Sequence, residues 1–348
     1  MTRTISRALT LAAAGTLVAA APAAAQAPTA AVAGGQTMLK LDAGTAKALS
    51  SNGVKVSLVK PAKAGKSGIT FPATGGALDP ATLRGSVNHT GGIRFRAGGT
   101  TVTLRNPRYT IGSGGATLSA QVGSARLSIA SLSLKSAKVG ADGPLTKTAS
   151  GVRATLTAGA AKALNKAFRT TLFARGLKLG TVRTQVVLGD AVFGGGATTL
   201  KLDAGAAGAL QSLGVTPGVV GDATAGADGL AFPITGGKVD AKTLAGDITH
   251  SGGISLTKGG TRVELTDFTI GIDDTPALSA LVGGQRAEIL TLDVSAVKAG
   301  VDGDAIVVSG VVAKLTPAAA QALNAAFGTT AFTGGLTLGT ATVRGTTR

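Results

Sequence analysis

Apolar and polar residues alternate along short segments of the chain, and glycine-rich turns separate these segments. In the first half the alternation runs through residues 87–95, 101–104, 117–122 and 126–134. A period of two is typical of strands that bury one face. Because the intervening turns are short, neighbouring strands should pair antiparallel. The pattern predicts an antiparallel β-sandwich or barrel.

Two short helices are predicted beside these strands. Asp42 is a good N-cap for the first helix, and Gly53 is placed to end it. The second begins after Thr157 and runs to Phe168, with Leu164 one turn earlier on the same face. A short helix with one apolar face is expected to pack on a sheet.

The same segments return in the second half of the chain. The motif LKLDAG begins at Leu39 and again at Leu200, 161 residues later. HTGGI begins at His89 and HSGGI at His250, with the same offset, which becomes 159 near the end of the unit. Nearly constant spacing over the whole unit indicates a duplicated domain.

We therefore expect an all-β fold with short flanking helices, arranged as two tandem antiparallel β-sandwich or barrel-like domains. The glycine-rich run near the middle of the chain favours a linker there. The expected divisions are a signal peptide at 1–27, a basic first domain at 36–190, a linker at 191–198 and a second domain at 199–345.

The first residues have the order of a secretory signal peptide. Arg3 and Arg7 precede an apolar run over 8–20, and three alanines at 23–25 form a small-residue cleavage site. The apolar run is shorter than the roughly 20 residues of a membrane span, and no later stretch is long and apolar enough. We expect a secreted or cell-surface protein with no transmembrane segment after signal cleavage.

Composition restricts the chemistry of the protein. There is no Cys and no Trp, one Tyr and 9 Phe. Thiolate metal sites and thiol redox chemistry are excluded, and the core must consist mainly of aliphatic side chains. Binding of nucleic acid is disfavoured, because aromatic side chains for base stacking are lacking.

The two halves differ strongly in charge. Residues 36–190 contain 22 Lys and Arg against 4 Asp and Glu, a net of +18, whereas residues 197–348 contain 10 against 13, a net of −3. Arg94 and Arg96 should share one strand face in the basic half. This charge favours an anionic cell-envelope polymer or a small anionic ligand as partner. A solvated basic surface without a partner is the alternative.

The two histidines, His89 and His250, lie at equivalent positions of the repeat. Each either contacts a ligand or donates to a backbone carbonyl in a structural role. Tyr109 corresponds to Phe268, which favours a buried strand position over a ligand contact. No metal site is predicted, because the repeats share no further His, no Cys and no close carboxylate pair. The candidate ligand-binding residues are His89, His250, Tyr109, Arg94 and Arg96.

No arrangement of residues predicts catalysis. The acidic residues common to both repeats occupy helix-cap or turn positions. The G-x-S-x-G nucleophile motif is absent, since its nearest approach has Ile111 in place of the first glycine. We expect no enzyme and no catalytic residue.

The central strands resemble the HtaA domain. The resemblance lies in FPATGG at 71–76, GGIRF at 91–95 and LRNP at 104–107, and more loosely in FPITGG at 232–237. HtaA domains are secreted or surface-held β-rich modules that bind haem through a tyrosine supported by a histidine. The resemblance implies a shared architecture, and it makes a haem-binding protein in iron acquisition the alternative function.

The ligand motifs of that family are not retained here. The segment in which the family has Trp and Tyr reads LKLDAG at 39–44, and the expected Gly-His pair is replaced by AGG at 97–99. His89 and His250 lie one strand earlier, so the family's ligand roles are not transferred to them. The leading hypothesis is an exported, non-enzymatic binding or envelope-associated protein whose first domain contacts an anionic partner. It requires no cofactor, and haem belongs to the alternative.

Overall fold

The computed structural model describes residues 28–348, and the expected signal peptide at 1–27 lies outside the described residues. Each half of the described chain folds into one twelve-stranded antiparallel sheet with two short helices. None of the helices in residues 28–348 has the length and apolar character needed to cross a membrane.

The first half contains twelve strands and two helices. In chain order they are β1 (Ala30–Leu41), α1 (Ala43–Ser51), β2 (Lys55–Val59), β3 (Lys63–Gly65), β4 (Gly68–Leu78), β5 (Gly85–His89), β6 (Gly92–Ala97), β7 (Thr100–Gly112), β8 (Gly115–Val122), β9 (Ala125–Ser133), β10 (Lys138–Ala141), β11 (Thr146–Leu156), α2 (Ala158–Phe168) and β12 (Lys178–Leu188).

The second half repeats this order of elements. They are β13 (Asp190–Leu202), α3 (Ala204–Ser212), β14 (Thr216–Val220), β15 (Thr224–Gly226), β16 (Gly229–Asp240), β17 (Gly246–His250), β18 (Gly253–Lys258), β19 (Thr261–Ile272), β20 (Ala277–Val282), β21 (Gln285–Asp293), β22 (Lys298–Asp302), β23 (Ala305–Leu315), α4 (Pro317–Phe327) and β24 (Thr337–Thr347).

Eight strands of each sheet close into a barrel. In barrel 1 (residues 30–188) the order is β7, β5, β4, β1, β12, β11, β9 and β8, and β8 pairs back with β7. In barrel 2 (residues 190–347) the order is β19, β17, β16, β13, β24, β23, β21 and β20, and β20 pairs back with β19. Strand β6 follows β5 along the same edge of β7 and pairs with β2 on its other side, and β18 and β14 are placed in the same way beside β19. The prediction of two tandem all-β domains with flanking helices is confirmed, and the architecture is a closed barrel.

The strand expected over residues 87–95 is interrupted and forms β5 and β6. Both pair with the same edge of β7, in registers that differ by one residue, so the chain makes a bulge at Thr90 and Gly91, where Gly91 has a φ of +89°. A Cβ atom on Gly91 would lie 2.6 Å from the backbone nitrogen of Ala62. Position 91 therefore requires glycine. Gly252 is the equivalent residue of barrel 2 and has a similar φ of +76°.

The stretch 191–198, which we expected to be a linker, lies within β13. Its glycines allow backbones to approach closely at a β-bulge, and a Cβ atom on Gly196 would overlap the carbonyl oxygen of Arg344 on β24. Composition alone does not distinguish such a strand from a flexible segment. In the structure the barrels meet at Gly189, between β12 and β13, and β1 begins at Ala30, before the expected start at residue 36.

The helix boundaries agree with the capping signals in the sequence. The side chain of Asp42 accepts a hydrogen bond from the amide of Thr45 at 3.0 Å, and that of Thr157 accepts from Ala160 at 3.1 Å. The first helix ends just before Gly53, which has a φ of +68°. Helix α2 packs on β9 and β7 with its apolar face inward.

Candidate functional site

His89 ends β5 with its side chain inside barrel 1, where the residue is only 3% exposed. Its Nδ1 lies 3.2 Å from the carbonyl oxygen of Pro107, and its Nε2 lies 2.8 Å from the hydroxyl oxygen of Thr37. Since a carbonyl only accepts, Nδ1 donates, and Nε2 accepts from Thr37. Burial lowers the pKa of His89 to about 4, so the ring is neutral at physiological pH.

Tyr109 lies beside this histidine in the interior. Its ring centroid is 5.3 Å from that of His89, and the residue is 7% exposed. The tyrosine hydroxyl faces the hydroxyl groups of Thr184 and Thr37, whose oxygens are 2.9 Å apart. Burial raises the pKa of Tyr109 to about 12. We call Thr37, His89, Tyr109 and Thr184 the polar layer of barrel 1.

The polar layer stands between two small cavities of barrel 1. The cavity bounded by Thr37 and His89 has a volume of about 60 Å³. The cavity bounded by Tyr109 and Thr184 has a volume of about 130 Å³. The buried apolar residues of this barrel likewise form several separate clusters. Side chains therefore fill most of the interior of barrel 1, and the polar layer divides the remaining space into two small cavities.

In barrel 2 only half of this layer is present. His250 Nε2 lies 2.7 Å from the hydroxyl oxygen of Thr198, and Nδ1 lies 3.2 Å from the carbonyl oxygen of Phe268. Burial lowers the pKa of His250 to about 4, as it does for His89. Each histidine thus donates to a backbone carbonyl, which is the contact expected of one of the two roles that the sequence left open.

Apolar residues replace the other two members of the layer. Phe268 stands where barrel 1 has Tyr109, and Val343 stands where it has Thr184. The ring of Phe268 packs edge-on against Phe232, with centroids 4.8 Å apart. The buried apolar residues of barrel 2 form one continuous cluster.

Barrel 2 encloses a cavity of about 520 Å³, bounded by all eight barrel strands and by α4. Its lining is apolar apart from Thr198, Thr243 and Glu288. Thr243 and Glu288 are exposed residues, so Thr198 is the one buried polar residue in the lining. Sequence reasoning missed this site. Its signal was the change from polar to apolar residues between the repeats, as in Tyr109 against Phe268.

Arg94 and Arg96 lie on the outside of barrel 1. Both are exposed on β6, and Lys55 of the neighbouring strand β2 is paired with Arg96. We call Lys55, Arg94 and Arg96 the basic ridge. The structure brings His89 and Tyr109 together inside the barrel but separates them from the two arginines, so the five candidates do not form one site.

The basic ridge has no acidic neighbour. Within residues 28–348, every ion pair joins two residues of barrel 2. The positions of barrel 2 that correspond to the ridge carry hydroxyl side chains, namely Thr216, Ser255 and Thr257. Barrel 2 therefore forms the same two strands without charged side chains at these positions.

The interior residues do not fit haem. In barrel 1 the cavities are far smaller than the roughly 300–1,000 Å³ of a typical ligand pocket, and both nitrogens of His89 are engaged. Barrel 2 has the space, but Phe268 replaces the tyrosine and both nitrogens of His250 are engaged. No Lys or Arg lines this cavity to pair with the haem propionates. Residues 28–348 also contain no cluster of three or more His, Asp or Glu suited to a metal ion.

Comparison with known proteins finds one family model that matches most of barrel 1. Residues 30–171 match the model of the HtaA domain family. The C-terminal domain of HtaA from Corynebacterium glutamicum aligns with 17% identity over 46% of this chain and 99% of that chain, with a TM-score of 0.38. A domain-swapped dimer of a histidine-to-alanine variant of that domain aligns with 17% identity over 42% and 92%, with a TM-score of 0.32. No curated protein gives a significant match.

Proposed function

We propose that this chain of two tandem barrels, the first of which matches the HtaA family model, is an exported, non-enzymatic binding protein whose barrel 1 contacts an anionic polymer of the cell envelope. The observation behind the proposal is the basic ridge of Lys55, Arg94 and Arg96, which is exposed and has no acidic partner within residues 28–348.

The charges of the ridge serve no visible purpose in folding. Barrel 2 builds the same two strands with Thr216, Ser255 and Thr257 at these positions. Three cations on adjacent positions of one face repel each other, because no anion intervenes. A partner that supplies negative charge removes this repulsion, and that gain supports a binding role.

The shape of the surface favours a polymer over a small anion. Strands β2 and β6 are part of the barrel wall, with Ile93 facing the interior, and the side chains of Lys55, Arg94 and Arg96 are exposed on the outside. Neither Arg94 nor Arg96 lines the two cavities of about 60 and 130 Å³ in barrel 1. A row of exposed charges engages a repeating polyanion at several points at once, whereas it gives a small anion no enclosure.

Inorganic polyphosphate is a suitable probe for this surface. We expect the chain to bind it at about 50 mM salt and to lose most of that affinity at about 500 mM, because the Debye length shrinks from over 10 Å to only a few Å. The triple variant Lys55→Thr, Arg94→Ser, Arg96→Thr should bind at least tenfold more weakly at low salt. Each substitution installs the residue of barrel 2, so the variant should fold.

A matched control removes the same charge elsewhere on barrel 1. Arg153→Thr, Lys178→Thr and Arg183→Thr alter exposed positions of β11 and β12, away from β2 and β6 around the barrel. If the control triple weakens polyphosphate binding as much as the ridge triple, binding depends on net charge alone and the assignment to the ridge fails. Absence of polyphosphate binding at low salt would refute the proposal.

A further inference from the structure

We infer that barrel 2 binds an uncharged, mainly aliphatic molecule in its cavity of about 520 Å³. This inference goes beyond the proposed function, since it concerns the interior of the other barrel and a different class of ligand. The volume lies within the roughly 300–1,000 Å³ range of small-molecule sites. Barrel 1, with the same strand order, has cavities of only about 60 and 130 Å³.

The cavity of barrel 2 is lined by Phe268 and Val343, the apolar counterparts of two members of the polar layer. In barrel 1 the ring of Tyr109 lies against His89, with centroids 5.3 Å apart. The ring of Phe268 instead packs edge-on against Phe232, with centroids 4.8 Å apart. The lining of the cavity runs from α4 to Leu244.

A cavity of this volume is exceptional inside a protein core. Cores are packed as densely as organic crystals, and voids much larger than one water molecule are few. Water gains little in this cavity, because Thr198 is the one buried polar residue in the lining and its hydroxyl donates to His250. An apolar occupant restores the missing contacts, so the cavity has the character of a binding site.

The lining specifies an uncharged ligand. Its one ionisable residue is Glu288, which is exposed, and it includes no Lys or Arg. A carboxylate taken into the cavity would lose its hydration without gaining a counter-ion. An alcohol loses less, because the Thr198 oxygen keeps a lone pair that can accept one hydrogen bond. A long-chain or isoprenoid alcohol fits these conditions.

The test uses the full chain and the uncharged fluorescent probe N-phenyl-1-naphthylamine. The chain should bind the probe, and hexadecanol should displace it at least tenfold more effectively than hexadecanoate or haem at pH 7.5. Phe268→Tyr with Val343→Thr, which rebuilds the polar layer, should weaken probe binding at least tenfold. The reverse substitutions in barrel 1, Tyr109→Phe with Thr184→Val, serve as the control and should leave probe binding in the cavity of barrel 2 unchanged.

A second variant protects the test against misfolding. Leu256→Phe with Ala341→Val fills the lining with the side chains that barrel 1 has at Phe95 and Val182. It should also weaken probe binding at least tenfold while keeping the circular dichroism spectrum of the parent. Unchanged binding in both folded variants overturns the assignment to barrel 2. Equal displacement by hexadecanoate or haem overturns the uncharged class of ligand.

Discussion

At the scale of single residues, two hydroxyl groups distinguish the barrel interiors. The pairs Tyr109 and Phe268, and Thr184 and Val343, are nearly equal in size, yet only the first member of each can join a hydrogen-bond network. Every buried polar side-chain atom in residues 28–348 has a hydrogen-bond partner, and in the polar layer Thr37 bonds to both His89 and Thr184. Removing one residue of the layer leaves a buried polar group of another without a hydrogen-bond partner. The resulting loss of stability is larger than the net stabilisation that forming the bond provides.

The buried histidines should make the protein sensitive to mild acid. The pKa of His89 is about 4 in the folded chain, against 6.5 for an ordinary histidine, so below pH 6.5 the unfolded chain binds a proton that the folded chain does not bind. This contribution to stability is complete above pH 6.5 and is lost between pH 6.5 and 4. We expect a loss of about 2 kcal/mol per histidine between pH 7.5 and 5.0.

Urea unfolding measures this loss separately for barrel 1. Tyr109 is the one tyrosine in a chain without tryptophan, so its fluorescence reports on that barrel. His89→Gln should remove about 2 kcal/mol of the pH dependence seen by this signal. His250→Gln, the control in barrel 2, should leave it unchanged. A His89→Gln protein with the full dependence of the parent would contradict the assigned cause.

At the scale of elements, local signals predicted the helices well and the strands incompletely. The N-caps Asp42 and Thr157 act within three residues, so the sequence states them directly. The break between β5 and β6 depends on the contact of Gly91 with Ala62, a neighbour that is distant in sequence. The same holds for β13, where glycines read as a linker provide a close approach between strands.

An asparagine in the second helix of each barrel holds the loop that follows the helix. Asn165 donates from Nδ2 to the carbonyl of Phe173 at 2.7 Å and accepts from its amide at 3.0 Å, and Asn324 holds Phe332 in the same way. Asn165→Ala should lower the free energy of unfolding by about 1–3 kcal/mol, because it removes both partners of the Phe173 backbone.

Tyr109 fluorescence in urea again gives the measurement. Asn52→Ala is the control, since Asn52 is exposed and its side chain makes one bond, to Ala48 at 2.8 Å. Asn52→Ala should lower the free energy of unfolding by well under half as much as Asn165→Ala does. Equal losses of stability in the two variants would contradict the stabilising role assigned to the two bonds with the Phe173 backbone.

At the scale of the whole molecule, duplication produced two barrels that touch and differ. The amide of Ala31 donates to Asp190 at 2.7 Å across the junction, and Thr347 donates to the Pro144 carbonyl at 2.9 Å. Val192 of β13 is buried in a cluster of barrel 1 residues. The contrast in charge was readable from composition. The cavity was not, because it depends on which neighbour the ring of Phe268 packs against.

The central claim is a division of labour, with charge on the outside of barrel 1 and apolar space inside barrel 2. One titration tests it directly: polyphosphate and N-phenyl-1-naphthylamine are titrated into the same chain at about 50 and about 500 mM salt. Polyphosphate binding should be lost at high salt while probe binding persists, because apolar burial is not screened. Loss of both together, or weaker probe binding in the ridge triple variant, would contradict the account.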